Sequence, residues 1–193
     1  ATLGKMPLGY KILNSFFQSV TLRTAGFSTV PQGNLREVTA FISCLFMFIG
    51  GSPMGTAGGV KTTTIFALFL NIHNSIRNKK NSVIFSRSFS SDRLQKASAI
   101  VIVSLSLSLI LTALLALSDG IPILDSMFEI FSATGTVGLS RSITPYLHPI
   151  GKMIVILGMY AGRIGPVSMV VLFHTKKAEV SAVTPAHGKF YIG

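Results

Sequence analysis

GGSPMGTAGGVKTTT, residues 50–64, is a glycine-rich stretch set between two strongly apolar segments, and its reading decides the fold. Upstream, residues 38–49 are apolar or small throughout, but they are too few for a hydrocarbon core that takes about 20 helical residues to cross. Downstream, residues 65–70 form a shorter apolar run. Together the two runs would span, so the glycine-rich stretch reads as a break inside one transmembrane helix. Non-helical backbone at membrane depth survives only where protein or a watery cavity covers its polar groups. Discontinuous helices of this kind mark ion and substrate paths in transporters.

Composition argues against the competing reading, a glycine-rich turn in a soluble protein. The chain is 49% hydrophobic and only 12% charged, lacks tryptophan and has a mean hydropathy of +0.60. This is the composition of a membrane protein. Lys and Arg number 17 against 6 Asp and Glu, yet the basic residues fall mostly between apolar runs rather than on one polar face, which excludes a nucleic-acid binder. The single cysteine, Cys44, lies inside an apolar run. It allows no internal disulfide and is expected in the core or against lipid.

Residues 1–9 lack a cleavable-signal pattern, and the start reads as a truncation. A short helix is expected over residues 11–22, with Ile12, Phe16 and Ser19 or Val20 at helical spacing. It is too short to span, and it leads into Thr24-Ala25-Gly26-Phe27-Ser28 and the loop signals Pro31, Gly33 and Asn34. After the broken helix, residues 73–96 carry Arg77, Lys79, Lys80, Arg87, Arg93 and Lys96 against Asp92 alone. The positive-inside rule places that linker in the cytoplasm. Residues 97–117 hold no charge and would extend about 31 Å as a helix. Their serines, Ser104, Ser106 and Ser108, are expected to bond helical carbonyls or a neighbouring helix. A second short helix follows over residues 123–133, then the glycine-bearing loop 134–140. Residues 153–173 form a last apolar segment interrupted by Gly162-Arg163-Ile164-Gly165-Pro166, with Lys176 and Lys177 putting its far end on the basic side.

Gly26-Phe27-Ser28 laid on Gly138-Leu139-Ser140 exposes an internal repeat offset by 112 residues. Thr24 then meets Thr136, Phe16 meets Phe128, Phe48 meets Tyr160 and Gly50 meets Gly162. Each unit is a short helix, a glycine loop and an inner helix broken near its middle, and the second unit is preceded by an outer helix. The fold class expected is therefore an all-α membrane protein with repeated helix–pore loop–helix units and discontinuous inner helices, the plan of a cation channel. In a T-x-G-apolar-S loop, glycine permits backbone conformations closed to residues with a Cβ, so carbonyls can face one axis. Rings of such carbonyls replace the hydration shell of potassium. The negative ends of the short helices, aimed at the same place, favour a cation.

Two other functions compete. Residues 55–62 superficially resemble a phosphate-binding loop, but that motif sets glycine directly before lysine, and here Val60 separates Gly59 from Lys61. For an enzyme embedded in the membrane, the acids and histidines would have to cluster. Asp125 and Glu129 lie one turn apart near the start of the second short helix, where they are expected to stabilise its N-terminus. His73 and His174 fall at predicted cytoplasmic ends, and His148 and His187 in loops. Transport rather than catalysis is the expected function.

These residues resemble the Ktr/Trk/HKT superfamily of potassium transporters, whose chains carry four helix–pore loop–helix repeats around one pore. Thr24-Ala25-Gly26-Phe27-Ser28 resembles its third filter loop and Thr134-Gly135-Thr136-Val137-Gly138-Leu139-Ser140 its fourth. Residues 51–64 are similar to its intramembrane gating loop, and Gly162-Arg163-Ile164-Gly165-Pro166 leans towards the KtrB branch. The resemblance covers roughly residues 16–173. It implies a C-terminal half: residues 1–72 as the third pore repeat without its outer helix, 73–96 as a basic cytoplasmic linker, 97–174 as the fourth pore repeat and 175–193 as a cytoplasmic C-terminal tail.

The resemblance also implies site residues. Ion-binding positions would be Thr24, Ala25, Gly26, Phe27, Thr136, Val137, Gly138 and Leu139, with potassium at the carbonyls of Thr24, Gly26, Thr136 and Gly138. Gly50, Gly51, Gly55, Gly58, Gly59, Lys61, Thr62, Thr63 and Thr64 would form the gate, with Arg163 beside it as an electrostatic barrier. The implied activity is potassium uptake across the plasma membrane, in the KtrB branch often sodium-dependent. Implied partners are an N-terminal half with two further pore loops, a second copy in a homodimer, and a cytoplasmic ring of nucleotide-binding regulatory subunits of the KtrA type.

Overall fold

In the computed structural model, residues 3–4, 6–53, 57–77, 82–84, 87–89 and 91–165 are described. They form helices α1 (Leu8–Thr21), α2 (Glu37–Phe48) and α3 (Thr62–Ile76), a hairpin of β1 (Ser82–Ile84) and β2 (Arg87–Phe89), then α4 (Ser91–Asp119), α5 (Ile123–Thr134) and α6 (Pro149–Ile164). The hairpin is the one departure from an all-helical plan among these residues. Its strands pair antiparallel, Ser82 with Phe89 and Ile84 with Arg87.

Helix α3 is longer than the apolar run 65–70 predicts. Neither glycine nor proline occurs over its length, so the polar Asn71, His73 and Asn74 extend the helix instead of ending it. It starts directly after Lys61, whose carbonyl accepts from the N–H groups of Thr64 and Ile65. Helix α4 likewise exceeds the expected span. Its portion Leu94–Asp119 is the one helix among the described residues long and apolar enough to cross a membrane. Within α4, Ser104 Oγ donates to the Ile100 carbonyl at 2.7 Å and Ser108 Oγ to that of Ser104 at 3.0 Å, as expected for serines inside an apolar helix. The other four helices run 12 to 16 residues, short of a full crossing.

Helix α5 is the centre of the packing, with α2 on one flank and α4 and α6 on the other. One apolar cluster joins Leu22, Ala40, Cys44, Met47, Phe128, Phe131, Val137 and Leu139, and a second joins Leu111, Leu115, Ile130, Ala133, Leu147 and Val155. Cys44 is fully buried, so it is a core residue. The two short helices differ in surroundings despite the sequence repeat: Phe128 of α5 is fully buried, while its counterpart Phe16 in α1 is 68% exposed. Asp119 at the end of α4 accepts from the His148 backbone N–H at 2.6 Å and fastens the start of α6 to it.

The break after α2 is present. Ile49 leaves the helix in an extended conformation and forms a parallel bridge with Val60, with Gly50 N–H on the Val60 carbonyl at 2.8 Å and Val60 N–H on the Phe48 carbonyl at 3.2 Å. The bridge closes the neck of the glycine-rich stretch and sets α2 and α3 on either side of it. The interruption expected in the last apolar segment falls at Gly165, whose φ of +86° ends α6. The rest of that segment, from Pro166 to Phe173, and the expected tail 175–193 lie outside the described residues.

Candidate functional site

Both T-x-G loops begin at the C-terminal ends of short helices, α1 ending at Thr21 and α5 at Thr134. Carbonyls without intrahelical partners give such an end partial negative charge. The loops share an unusual backbone. Thr24 and Gly26 have φ of +63° and +78°, and Thr136 and Gly138 have +53° and +90°. Left-handed φ is uncommon for a β-branched residue and costs free energy, so its recurrence at equivalent threonines marks one loop conformation used twice.

The two loops lie backbone to backbone. A Cβ on Gly26 would stand within 3.0 Å of the Val137 carbonyl oxygen, and Gly138 has the Gly26 Cα at 3.9 Å from its own Cβ position. Side chains anchor the second loop from behind: Val137 and Leu139 are each 4% exposed in the α2–α5 cluster, and Gly138 between them is exposed. Their counterparts Ala25 and Phe27 are exposed. The Phe27 carbonyl accepts from the Thr21 hydroxyl, so that oxygen is held by the helix behind the loop.

The glycine-rich stretch folds against these loops. Gly58 N–H donates to Thr136 Oγ1 at 2.8 Å, and Gly59 approaches the Gly135 Cα to 3.5 Å at its Cβ position. Glycine is required here by close approach: a Cβ on Gly58 would meet Thr136 side-chain atoms, and one on Gly50 would collide with the Gly58 carbonyl. A Cβ on Gly51 would lie 2.8 Å from the Ala57 Cβ. Gly55 lies outside the described residues. Lys61 Nζ donates to the Ala57 carbonyl, and Thr62, Thr63 and Thr64 form the first turn of α3 instead of the loop.

Arg163 stands in the last turn of α6. With Gly162, Ile164 and Gly165 it lines a cavity of about 350 Å³ whose other wall is Ala57, Gly58, Gly59 and Lys61. Helix α6 reaches this position by close contact with the end of α5, since a Cβ on Gly162 would collide with the Thr134 carbonyl. The ends of α5 and α6, the Thr136 loop and the glycine-rich stretch thus meet at one place.

Three side chains there and nearby were not singled out by sequence reasoning. Arg23, directly before Thr24, donates from Nη1 to the Ile49 carbonyl at 2.9 Å and reaches that of Gly50 at 3.5 Å, with its guanidinium 5.5 Å from the Phe46 ring centre. Its signal was a lone cation between a short apolar helix and a glycine loop. Arg141 pairs with Asp125 and reaches the Gly33 carbonyl at 3.4 Å. Thr144 donates to Glu129 and lies 2.8 Å from Ser140 Oγ. These contacts correct the reading of Glu129 as a helix N-terminal stabiliser and give Asp125 a partner in addition to the helix end. Asp125 is in the first turn of α5, as expected, and also pairs with Arg141. Glu129 is buried in the helix interior, beyond the first-turn reach of the dipole.

The profile of the TrkH family, cation transport proteins, matches residues 1–181. The chain belongs to this family. It is a family of membrane transporters, so the phosphate-loop and membrane-enzyme readings fall. The chain is 39% identical to Ktr system potassium uptake protein B of Bacillus subtilis over 192 residues, covering 100% of this chain and 43% of that one. It is 34% identical to the potassium/sodium uptake protein NtpJ of Enterococcus hirae, covering 95% of this chain and 42% of that one. The chain spans less than half the length of these curated relatives. Among solved structures, the potassium transporter TrkH from Vibrio parahaemolyticus superposes with a TM-score of 0.72 at 18% identity, over 90% of this chain and 39% of that one. That likeness is one of fold.

Proposed function

We propose that this chain is about half of a pore-forming subunit that takes up potassium through a filter of backbone carbonyls, gated by the glycine-rich intramembrane loop. The observation that carries the proposal is the pair of matching loops. Thr24 and Gly26, and Thr136 and Gly138, repeat the same left-handed φ pattern at the ends of two short helices, and the loops meet at Gly26 and Val137. Carbonyls of Thr24, Gly26, Thr136 and Gly138 would take the ion, with Ala25, Val137 and Leu139 completing the loops. The Phe27 carbonyl, held by Thr21, is the weakest candidate.

The gate would be residues 50–61, with Gly50, Gly51, Gly55, Gly58, Gly59 and Lys61 in the loop, the threonines 62–64 opening α3, and Arg163 facing it across the cavity. Residues 1–72 and 97–174 would be the third and fourth pore repeats, 73–96 a basic cytoplasmic linker and 175–193 a cytoplasmic tail. Two further pore loops from an N-terminal half would complete the filter, in a homodimer seated on a cytoplasmic ring of nucleotide-binding subunits of the KtrA type in the plasma membrane. The likeness to a potassium/sodium uptake protein supports a sodium dependence of uptake.

The test is tracer uptake by the intact transporter in a host lacking its own potassium uptake. Saturable rubidium uptake that potassium suppresses and equal sodium does not is the expected result. Uptake no greater than in the empty host would refute the proposal.

A further inference from the structure

Among the described residues, side-chain hydrogen bonds tie the glycine-rich loop to both T-x-G loops. At its start, the Arg23 guanidinium bonds the carbonyls of Ile49 and Gly50, where α2 gives way to extended backbone. On its returning limb, the Gly58 N–H is taken by the Thr136 hydroxyl. Arg23 is the neighbour of Thr24, and Thr24 is the repeat counterpart of Thr136. A guanidinium on carbonyls at a helix C-terminus meets the negative end of the dipole, and the two hydrogens of Nη1 let that one nitrogen serve both acceptors. The Phe46 ring under Arg23 narrows the guanidinium's orientation.

We propose that Arg23 is a positioning residue for the gate. It clamps the broken end of α2 to the third filter loop, while the Thr136 hydroxyl clamps Gly58 to the fourth. Both clamps hold the loop against the filter, so loss of Arg23 leaves the Gly58–Thr136 bond as the remaining one of the two and weakens the docking of the loop. Permeation then rises without any change to the residues that meet the ion. This inference rests on the reading of residues 50–61 as a gate.

The rival role for Arg23 is to hold the third filter loop in shape, and a double-mutant cycle separates the two. Rubidium uptake is measured for the intact transporter in liposomes in four forms: parent, Arg23→Met, a deletion of residues 52–59, and both changes together. Charge-assisted hydrogen bonds at a partly exposed site predict a rise of about threefold to tenfold for Arg23→Met with the loop present. On the deletion background the same substitution should alter uptake by less than about twofold, the ordinary scatter of independent changes. An equal fold-change in both backgrounds, or uptake unchanged or lowered by Arg23→Met with the loop present, would overturn the clamp. Should Arg23→Met fail to assemble, Arg23→Gln is run through the same cycle with the same criteria. A parent that moves no rubidium would remove the transport reading itself, and a deletion that leaves parent uptake unaltered would remove the gate together with its clamp.

Discussion

Alanine at Gly26 is expected to impair ion discrimination more than alanine at Gly138, although both are glycines of the same motif. Both have φ beyond the +50° to +70° window open to L residues, at +78° and +90°, so each substitution costs at least about 1–2 kcal/mol in backbone strain. Space separates them. The added Cβ at Gly138 would find nothing closer than the Gly26 Cα at 3.9 Å, an ordinary contact. At Gly26 it would stand within 3.0 Å of the Val137 carbonyl oxygen, and that neighbour is backbone of the other loop, which no rotamer change can move. Relief requires the two loops to part by roughly one ångström, at an overpacking cost of about 1–3 kcal/mol beyond the strain. At about 1.4 kcal/mol per tenfold, the extra term corresponds to about five- to a hundredfold in the equilibrium between the native and a distorted pairing of the two loops. Rubidium and sodium tracer uptake, normalised to correctly assembled protein, reads the outcome as a selectivity ratio. A ratio that falls at least as far in Gly138→Ala as in Gly26→Ala, or stays at the parent value in both, would refute the reasoning.

Deleting residues 52–59 is expected to raise potassium flux and weaken its control; parent flux in a correctly inserted variant would make the loop merely structural. Arg163→Gln keeps hydrogen-bonding capacity but removes the charge facing the loop across the cavity, so flux or apparent affinity should change by a few-fold (~) with assembly intact. Parent kinetics there would leave only packing. Arg141→Met strips Asp125 of its partner in a pair whose side chains are 12% and 24% exposed. A loss of about 1.5–3 kcal/mol is expected, read as a lower melting temperature in detergent, and an unshifted melting curve would mean that solvent already screens the pair.

The sequence by itself determined the short helices, the break between α2 and α3 and the repeat that makes Thr24 and Thr136 equivalent. Each rests on neighbours along the chain: apolar runs too short to span, glycine where the backbone must turn or approach closely, and a pattern recurring at a constant offset. The end of α6 was legible for the same reason, since Gly165 supplies a left-handed residue. Other features were decided only by tertiary structure. Thr62, Thr63 and Thr64 read as loop from composition, yet they join α3 because the Ile49–Val60 bridge ends the loop before them. Phe16 and Phe128 match in sequence and differ in burial, because α2, α4 and α6 enclose α5 alone. The contact from Gly58 to Thr136 and that from Arg23 to Ile49 join residues 78 and 26 apart. Local sterics and periodicity act over a few residues, whereas the partner of a buried acid, a hydroxyl or a guanidinium is set by which elements pack together.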